Sequence, residues 1–251
     1  HSHGRDCRAH LLPLSEKQNM KILNLLIFFC LLSPKAMAQS KFQPGETVPD
    51  AFLVAHDYKS FFLVTELPDS IFSLMQRRSW KEYTTIRRSS LRYLQCLHKD
   101  INGRSIVGEM VLNKTIADRV LNILRELYEN DYPIERMRLI DYWDADDEKA
   151  MRANNSSGFN FRFVSNTKVV SKHGLGLAVD INPLYNPYCK TVKGKRVVEP
   201  QAGIPYADRT KTFDYKIEKG DLCYHLFTAN GFQWGGNWRS CKDYQHFELR
   251  Q

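Results

Sequence analysis

A chain of 251 residues is long enough for one sizeable domain or two small ones, and its 43% apolar and 25% charged residues are those of a soluble globular protein that can bury a real core. The formal net charge is +8, a balance compatible with nucleic acid, anionic lipid or an acidic polymer as partner. No long Lys/Arg run and no nucleic-acid-binding motif accompanies it, so no nucleic-acid partner is expected and the charge reads as a weak steering term or a solvated basic surface.

Residues 1–19 precede Met20 and read as upstream or vector-encoded sequence. Residues 20–38 have the pattern of a secretory signal peptide: Lys21, an apolar stretch from Ile22 to Leu32, and Ala36-Met37-Ala38 before the cut. The stretch is shorter than the roughly 20 apolar residues that a membrane span needs. The expectation is therefore an exported protein, periplasmic or extracellular, with no stable membrane insertion after cleavage. Of six cysteines, Cys7 and Cys30 fall in the discarded region. Cys96, Cys189, Cys223 and Cys241 remain. No Cys-x-x-Cys pair occurs among them, which disfavours a thiolate zinc cluster and leaves a disulfide in the Cys189–Cys241 region as the expectation.

Residues 39–66 look irregular, with Pro44, Gly45 and Pro49 ahead of a short apolar run, Phe61 to Val64. Residues 69–79 allow one short helix. Leu91 to Leu97 and Ile106 to Leu112 flank Asn102-Gly103, a strong hairpin signal because both residues tolerate positive φ. A helix follows, capped by Asn113 or Thr115, with Ile116, Val120, Ile123, Leu124 and Leu127 at helical spacing. Pro133 ends it. Met137 to Ile140 reads as a strand, Asp144 to Ala153 as a surface helix, and the Asn/Ser/Gly-rich 154–162 stretch as a loop. Leu177 to Ile181 is a short apolar run interrupted by Asp180. Prolines punctuate an excursion from 183 to about 210, a short helix runs from Leu222 to Asn230, and Tyr244 to Leu249 closes the chain as a strand. Strands and helices mix without βαβ alternation, which predicts an α+β fold.

Three segments carry the chemistry: Ser171 to Asp180, Trp234 to Trp238, and Asp243 to Glu248. Asp180 sits in a run that otherwise reads as a buried strand. A buried carboxylate must be paired or hold a metal. His173 lies seven residues upstream in a glycine-flanked turn, and His246 in the apolar C-terminal strand. Each alone reads as ordinary. Together they are the two-imidazole, one-carboxylate set of a catalytic zinc with a fourth position open. A bend at Lys242-Asp243 would bring the Asp243 carboxylate to that centre as a proton acceptor. Glu248 alternates with His246 and can orient its ring. Trp234 and Trp238 either wall the cleft or pack in the core.

The pattern Ser-x-His-x-x-Gly-x-Ala-x-Asp, then Trp-Gly-Gly-x-Trp, then Asp-x-x-His-Phe-Glu, resembles the LAS metallopeptidases of cell-wall metabolism. Residues 132–137, 154–162 and 180–188 are similar to segments of that family's carboxypeptidase-like branch. The resemblance implies a single α+β domain, a small antiparallel sheet flanked by helices in a Hedgehog/DD-peptidase-like fold, with 39–104 as an irregular and hairpin region and 105–251 as the catalytic core. It implies Zn2+ on His173, Asp180 and His246, Asp243 as general base and later acid, and Arg162 polarising the scissile carbonyl. Ser157, Ser171 and Trp238 become candidate substrate contacts, with Ser171 alternatively fixing the His173 loop. The implied activity is hydrolysis of an amide bond in a peptidoglycan stem peptide, of D-alanyl-D-alanine carboxypeptidase or L-alanyl-D-glutamate endopeptidase type. Asp rather than Glu before the last histidine is more frequent among the endopeptidase-like members. The competing reading is a non-catalytic, zinc-stabilised wall-binding module.

Overall fold

The computed structural model describes residues 41–250 except Asn166, so the expected signal peptide at 20–38, residues 1–19, Cys7 and Cys30 lie outside the described residues. The described chain is a mixed α+β fold of small sheets and few helices: α1 (Asp50–Ala55), β1 (Leu63–Glu66), α2 (Asp69–Met75), β2 (Leu91–Lys99), β3 (Ser105–Asn113), α3 (Ala117–Glu129), β4 (Arg136–Met137), α4 (Asp147–Arg152), β5 (Asn155–Ser156), β6 (Ala178–Asp180), β7 (Tyr188–Val192), β8 (Lys195–Glu199), α5 (Leu222–Ala229), β9 (Phe232–Trp234), β10 (Lys242–Asp243) and β11 (His246–Leu249).

Three antiparallel sheets, ordered β1-β2-β3, β6-β11-β9 and β10-β7-β8, accompany a parallel β4-β5 pair. The Asn102-Gly103 hairpin forms as its turn chemistry requires, with Gly103 at φ +75° and Asp100 Oδ1 accepting from the Asn102 and Arg104 amides. Behind this sheet lies α3. Val120, Ile123, Leu124 and Leu127 recur every three or four residues, and that stripe is wholly buried against β2 and β1. Phe227 of α5 stacks on Phe247 of β11, centroids 4.3 Å apart, which ties the second sheet into the same core.

The outer edge of β3 is not left open. Phe159 N donates to Val111 O at 2.9 Å and Asn113 N to Gly176 O at 2.9 Å. This edge pins both the 158–159 segment and the loop after His173. Gly158 is required there, because a Cβ would lie 2.6 Å from Val111 O.

Several sequence expectations are corrected. Residues 39–66 contain α1, a 3-10 turn at Tyr58–Phe61 and β1. Neither Asn113 nor Thr115 caps α3. Ile116 is the N-cap, without a side-chain bond, while Asn113 Oδ1 accepts from Thr115 N one turn too early. The strand expected at Met137–Ile140 is only β4, and Ile140–Trp143 turns into 3-10 helix. Two residues of the 154–162 loop pair with it as β5. Inside the proline-rich excursion lies the β7–β8 hairpin, turned by Lys193 (φ +49°) and Gly194 (φ +75°). Cys96, Cys189, Cys223 and Cys241 are free thiols, which overturns the expected disulfide. Cys189 pairs across the sheet with Lys242, so neighbouring Cys241 points to the opposite face.

Candidate metal centre

The register of β6 and β11 makes the site. His246 stands directly opposite Asp180, a pairing that puts two Cβ atoms on one face about 5 Å apart. Period-two alternation then sends His246 and Glu248 to that face and Phe247 into the core beside Trp234. The third member comes from the 171–176 turn. Gly176 N donates to His173 O and Leu175 N to Ser171 O, while Ser171 Oγ accepts from Gly174 N at 3.0 Å. Gly174 is enforced by the neighbouring 162 segment, since a Cβ there would lie 2.9 Å from Arg162 O.

Ligand-type atoms of three residues converge. His173 Nε2 lies 3.1 Å from Asp180 Oδ2, His246 Nδ1 lies 3.1 Å from Asp180 Oδ1, and the two ring nitrogens are 3.1 Å apart. Gly158 O can only accept, so His173 Nδ1 at 2.7 Å must carry the proton. Glu248 Oε2 lies 3.0 Å from His246 Nε2 and fixes that proton likewise. Both rings thus turn their other nitrogen toward Asp180 and toward each other. Such a donor set suits a divalent cation at its centre. Four-coordinate zinc with bonds of 2.0–2.1 Å separates its ligands by roughly 3.3 Å, so the donors present fit the ion.

The electrostatics agree. Burial opposes ionisation of Asp180, yet positive charge on the flanking rings of His173 and His246 holds its carboxyl well below the usual range, and Asp180 and Glu248 in turn push His246 up to about 10 against its own burial. Burial also opposes the Glu248 carboxylate, and His246 outweighs it, lowering the value. For Asp243 burial wins: with Asp180 adding to it, against His246, His173 and Arg162, the carboxyl is pushed up to about 7. Asp243 Oδ1 is buried without a hydrogen-bond partner among the described residues, an unusual state for a carboxylate oxygen.

Asp243 reaches this position by a bend different from the one expected. It belongs to β10, paired with Tyr188 of β7, and the chain turns at Tyr244-Gln245 before entering β11. The C-terminal strand therefore begins at His246, not Tyr244. Gly235 backs Asp243 so closely that a Cβ would lie 2.6 Å from its carbonyl oxygen. Trp238 lies beside the cluster, its ring 5.3 Å from that of His246. Trp234 instead packs in the core and donates from Nε1 to Tyr244 O.

Arg162 precedes the His173 turn and accepts at its carbonyl from Ser171 N. Its Nε lies 2.8 Å from Asp147 Oδ2, but the N–H is not directed at that oxygen, so the contact is an ion pair only. Ser157 exchanges both backbone bonds with Asp180. Residues that sequence reasoning missed are Gly158, whose carbonyl sets the His173 tautomer, and Gly235. Neither has a side chain to signal a role. Cavities of about 500 Å3 and 490 Å3 are lined by none of the cluster residues; donor chemistry rather than volume locates the site.

Residues 165–249 match the family model described as D-alanyl-D-alanine carboxypeptidase. Over this stretch the chain is similar to that peptidase family. The match includes His173, Asp180, Asp243 and His246 and stops short of Arg162 and Ser157. Comparison with curated proteins and with solved structures finds no significant match. A peptidase-family segment and the converging His-Asp-His set thus fall in the same stretch of chain.

Proposed function

We propose that this protein is a zinc-dependent peptidase that hydrolyses an amide bond in the stem peptide of peptidoglycan, of the D-alanyl-D-alanine carboxypeptidase or L-alanyl-D-glutamate endopeptidase type. The observation that carries the reading is the convergence of two imidazole lone pairs and one carboxylate on a single point. His173, Asp180 and His246 would hold the ion, and Glu248 and Gly158 O keep both rings in the ligating tautomer. Zinc there supplies a Lewis acid and makes water a stronger acid.

Asp243 is the proton carrier. Its Oδ1 has no hydrogen-bond partner among the described residues, and a carboxyl whose proton affinity burial raises can take a proton from the attacking water and return it to the leaving amine. Arg162 carries a fixed positive charge toward the negative charge that develops on the carbonyl oxygen. Trp238 walls the cleft beside His246, and Ser157 and Ser171 hold the strand and turn that carry Asp180 and His173. Three protein ligands plus an unpartnered carboxylate favour catalysis over a structural zinc, which is held by four. The signal pattern at 20–38 supports export, and no helix among the described residues is long and apolar enough to cross a membrane.

The test is mass spectrometry of muropeptides digested with metal-loaded protein. Release of alanine, or of a cut stem peptide, abolished by chelator, is the expected result. No cleavage across a panel of stem peptides by zinc-replete protein rejects the reading.

A further inference from the structure

Arg162 ends a short run, Asn160-Phe161-Arg162, whose backbone is held on both sides. Asn160 N donates to His173 O at 3.3 Å and Ser171 N to Arg162 O at 2.9 Å, which ties the run to the turn of a metal ligand. On the other side Phe161 N donates to Ser79 O at 3.0 Å, and Lys81 Nζ donates to Phe161 O at 2.6 Å. Such bonds place the Arg162 Cα. They do not place its guanidinium, which swings on several rotatable bonds.

A carboxylate does that. Asp147 Oδ2 lies 2.8 Å from Arg162 Nε as an ion pair. Its other oxygen, Oδ1, accepts from Asn160 Nδ2 at 3.1 Å, and Asn160 is only 3% exposed. The amide is oriented in turn, because Nδ2 also donates to Ala145 O and Oδ1 accepts from Lys81 Nζ at 3.3 Å. A chain of contacts thus runs from Lys81 through Asn160 and Asp147 to Arg162. Helix capping does not account for it: Asp146, not Asp147, caps α4 by accepting from Lys149 N. Stability does not either, since the side chains of Arg162 and Asp147 are 41% and 38% exposed and ion pairs so exposed add little. What the carboxylate settles is position. Contact at Nε leaves the Nη end of the planar fork for another oxygen. The guanidinium is close enough to act at the centre: burial raises the Asp243 carboxyl, and Arg162 is among the charges that oppose it.

We propose that Asp147 is a positioning residue: held by Asn160, it fixes the Arg162 guanidinium so that the Nη end meets the carbonyl oxygen of the scissile amide. The inference rests on the peptidase reading above. Asp147 acts through Arg162 and not on the substrate.

The test compares Asp147→Asn with Glu148→Gln in the zinc-loaded full chain. Each removes one acidic charge from the first turn of α4, so an effect confined to the first is not one of helix-terminus charge. Asp147→Asn should lower kcat on stem peptides about 10–100-fold, with KM changed far less and zinc content unchanged, the pattern of an interaction made in the transition state. Asp147→Glu should recover part of the loss. Equal kcat in Asp147→Asn and Glu148→Gln overturns the proposal. A second readout needs no turnover. The nitrogen NMR resonance of Arg162 Nε, assigned by its loss in Arg162→Lys, should shift in Asp147→Asn and stay in place in Glu148→Gln; a resonance that Asp147→Asn leaves unmoved also overturns the proposal. If the wild type cuts no stem peptide while the resonance shifts, the anchoring of Arg162 stands and the peptidase reading falls.

Discussion

The His246 ring is held from both edges, by Asp180 on Nδ1 and Glu248 on Nε2. That arrangement makes Glu248 a determinant of metal affinity rather than of chemistry. Glu248→Gln should weaken zinc binding about 10–100-fold, read by chelator competition, while kcat of the fully loaded protein stays near wild type; unchanged affinity contradicts the assignment. Asp243 predicts the converse. Asp243→Ala should lower kcat about 10²–10⁴-fold with zinc content unchanged by elemental analysis, and loss of zinc would make it a ligand instead. At this scale the sequence was informative wherever a side chain does the work. Asp180 stands out because a carboxylate interrupts an apolar strand, and Glu248 follows from alternation with His246. Gly158 was invisible because its contribution is a carbonyl oxygen, common to every residue.

Elements bring these residues together by register, and register depends on contacts distant in sequence. The β6–β11 pairing sets His246 against Asp180, and the edge of β3 holds the His173 turn through Gly176. Local pattern identified the long hairpin and α3, where turn residues and a helical stripe are strong. It missed β7–β8 because Lys193-Gly194 is a less familiar turn pair among prolines. It misplaced the bend before His246, since Tyr244-Gln245 carries no turn signal and bends because β10 is claimed by β7. Gly235→Ala tests whether that placement matters. The added methyl must displace Asp243, and a shift of about 1 Å at a catalytic group can cost on the order of 10²-fold in rate. Kinetics with zinc occupancy measured in parallel is the check; wild-type kcat would mean that the backing by Gly235 is irrelevant.

Across the molecule, the first sheet and α3 form a core that the site leans on, and His98 is buried within it. Burial, only partly offset by Ile134 O and Asp100, lowers its pKa to about 4. The ring is neutral when folded and charges near 6.5 when unfolded, so its contribution is complete above about pH 6.5 and is lost as pH falls toward 4. The swing is on the order of 3 kcal/mol. Urea unfolding at pH 7 and 4.5 should show the wild type losing more stability than His98→Gln, and parallel losses would contradict it. The fold class was legible from the mixed order of elements, whereas the convergence of β6, β11 and the His173 turn on one cluster was not, because it rests on pairings between residues far apart in the chain. The most direct test of the metal centre is zinc K-edge absorption spectroscopy on the purified, metal-loaded chain. One zinc per chain with two imidazoles, a carboxylate oxygen and one exchangeable light ligand at about 2.0–2.1 Å is the predicted result; a sulfur ligand, four protein ligands or substoichiometric zinc would contradict it.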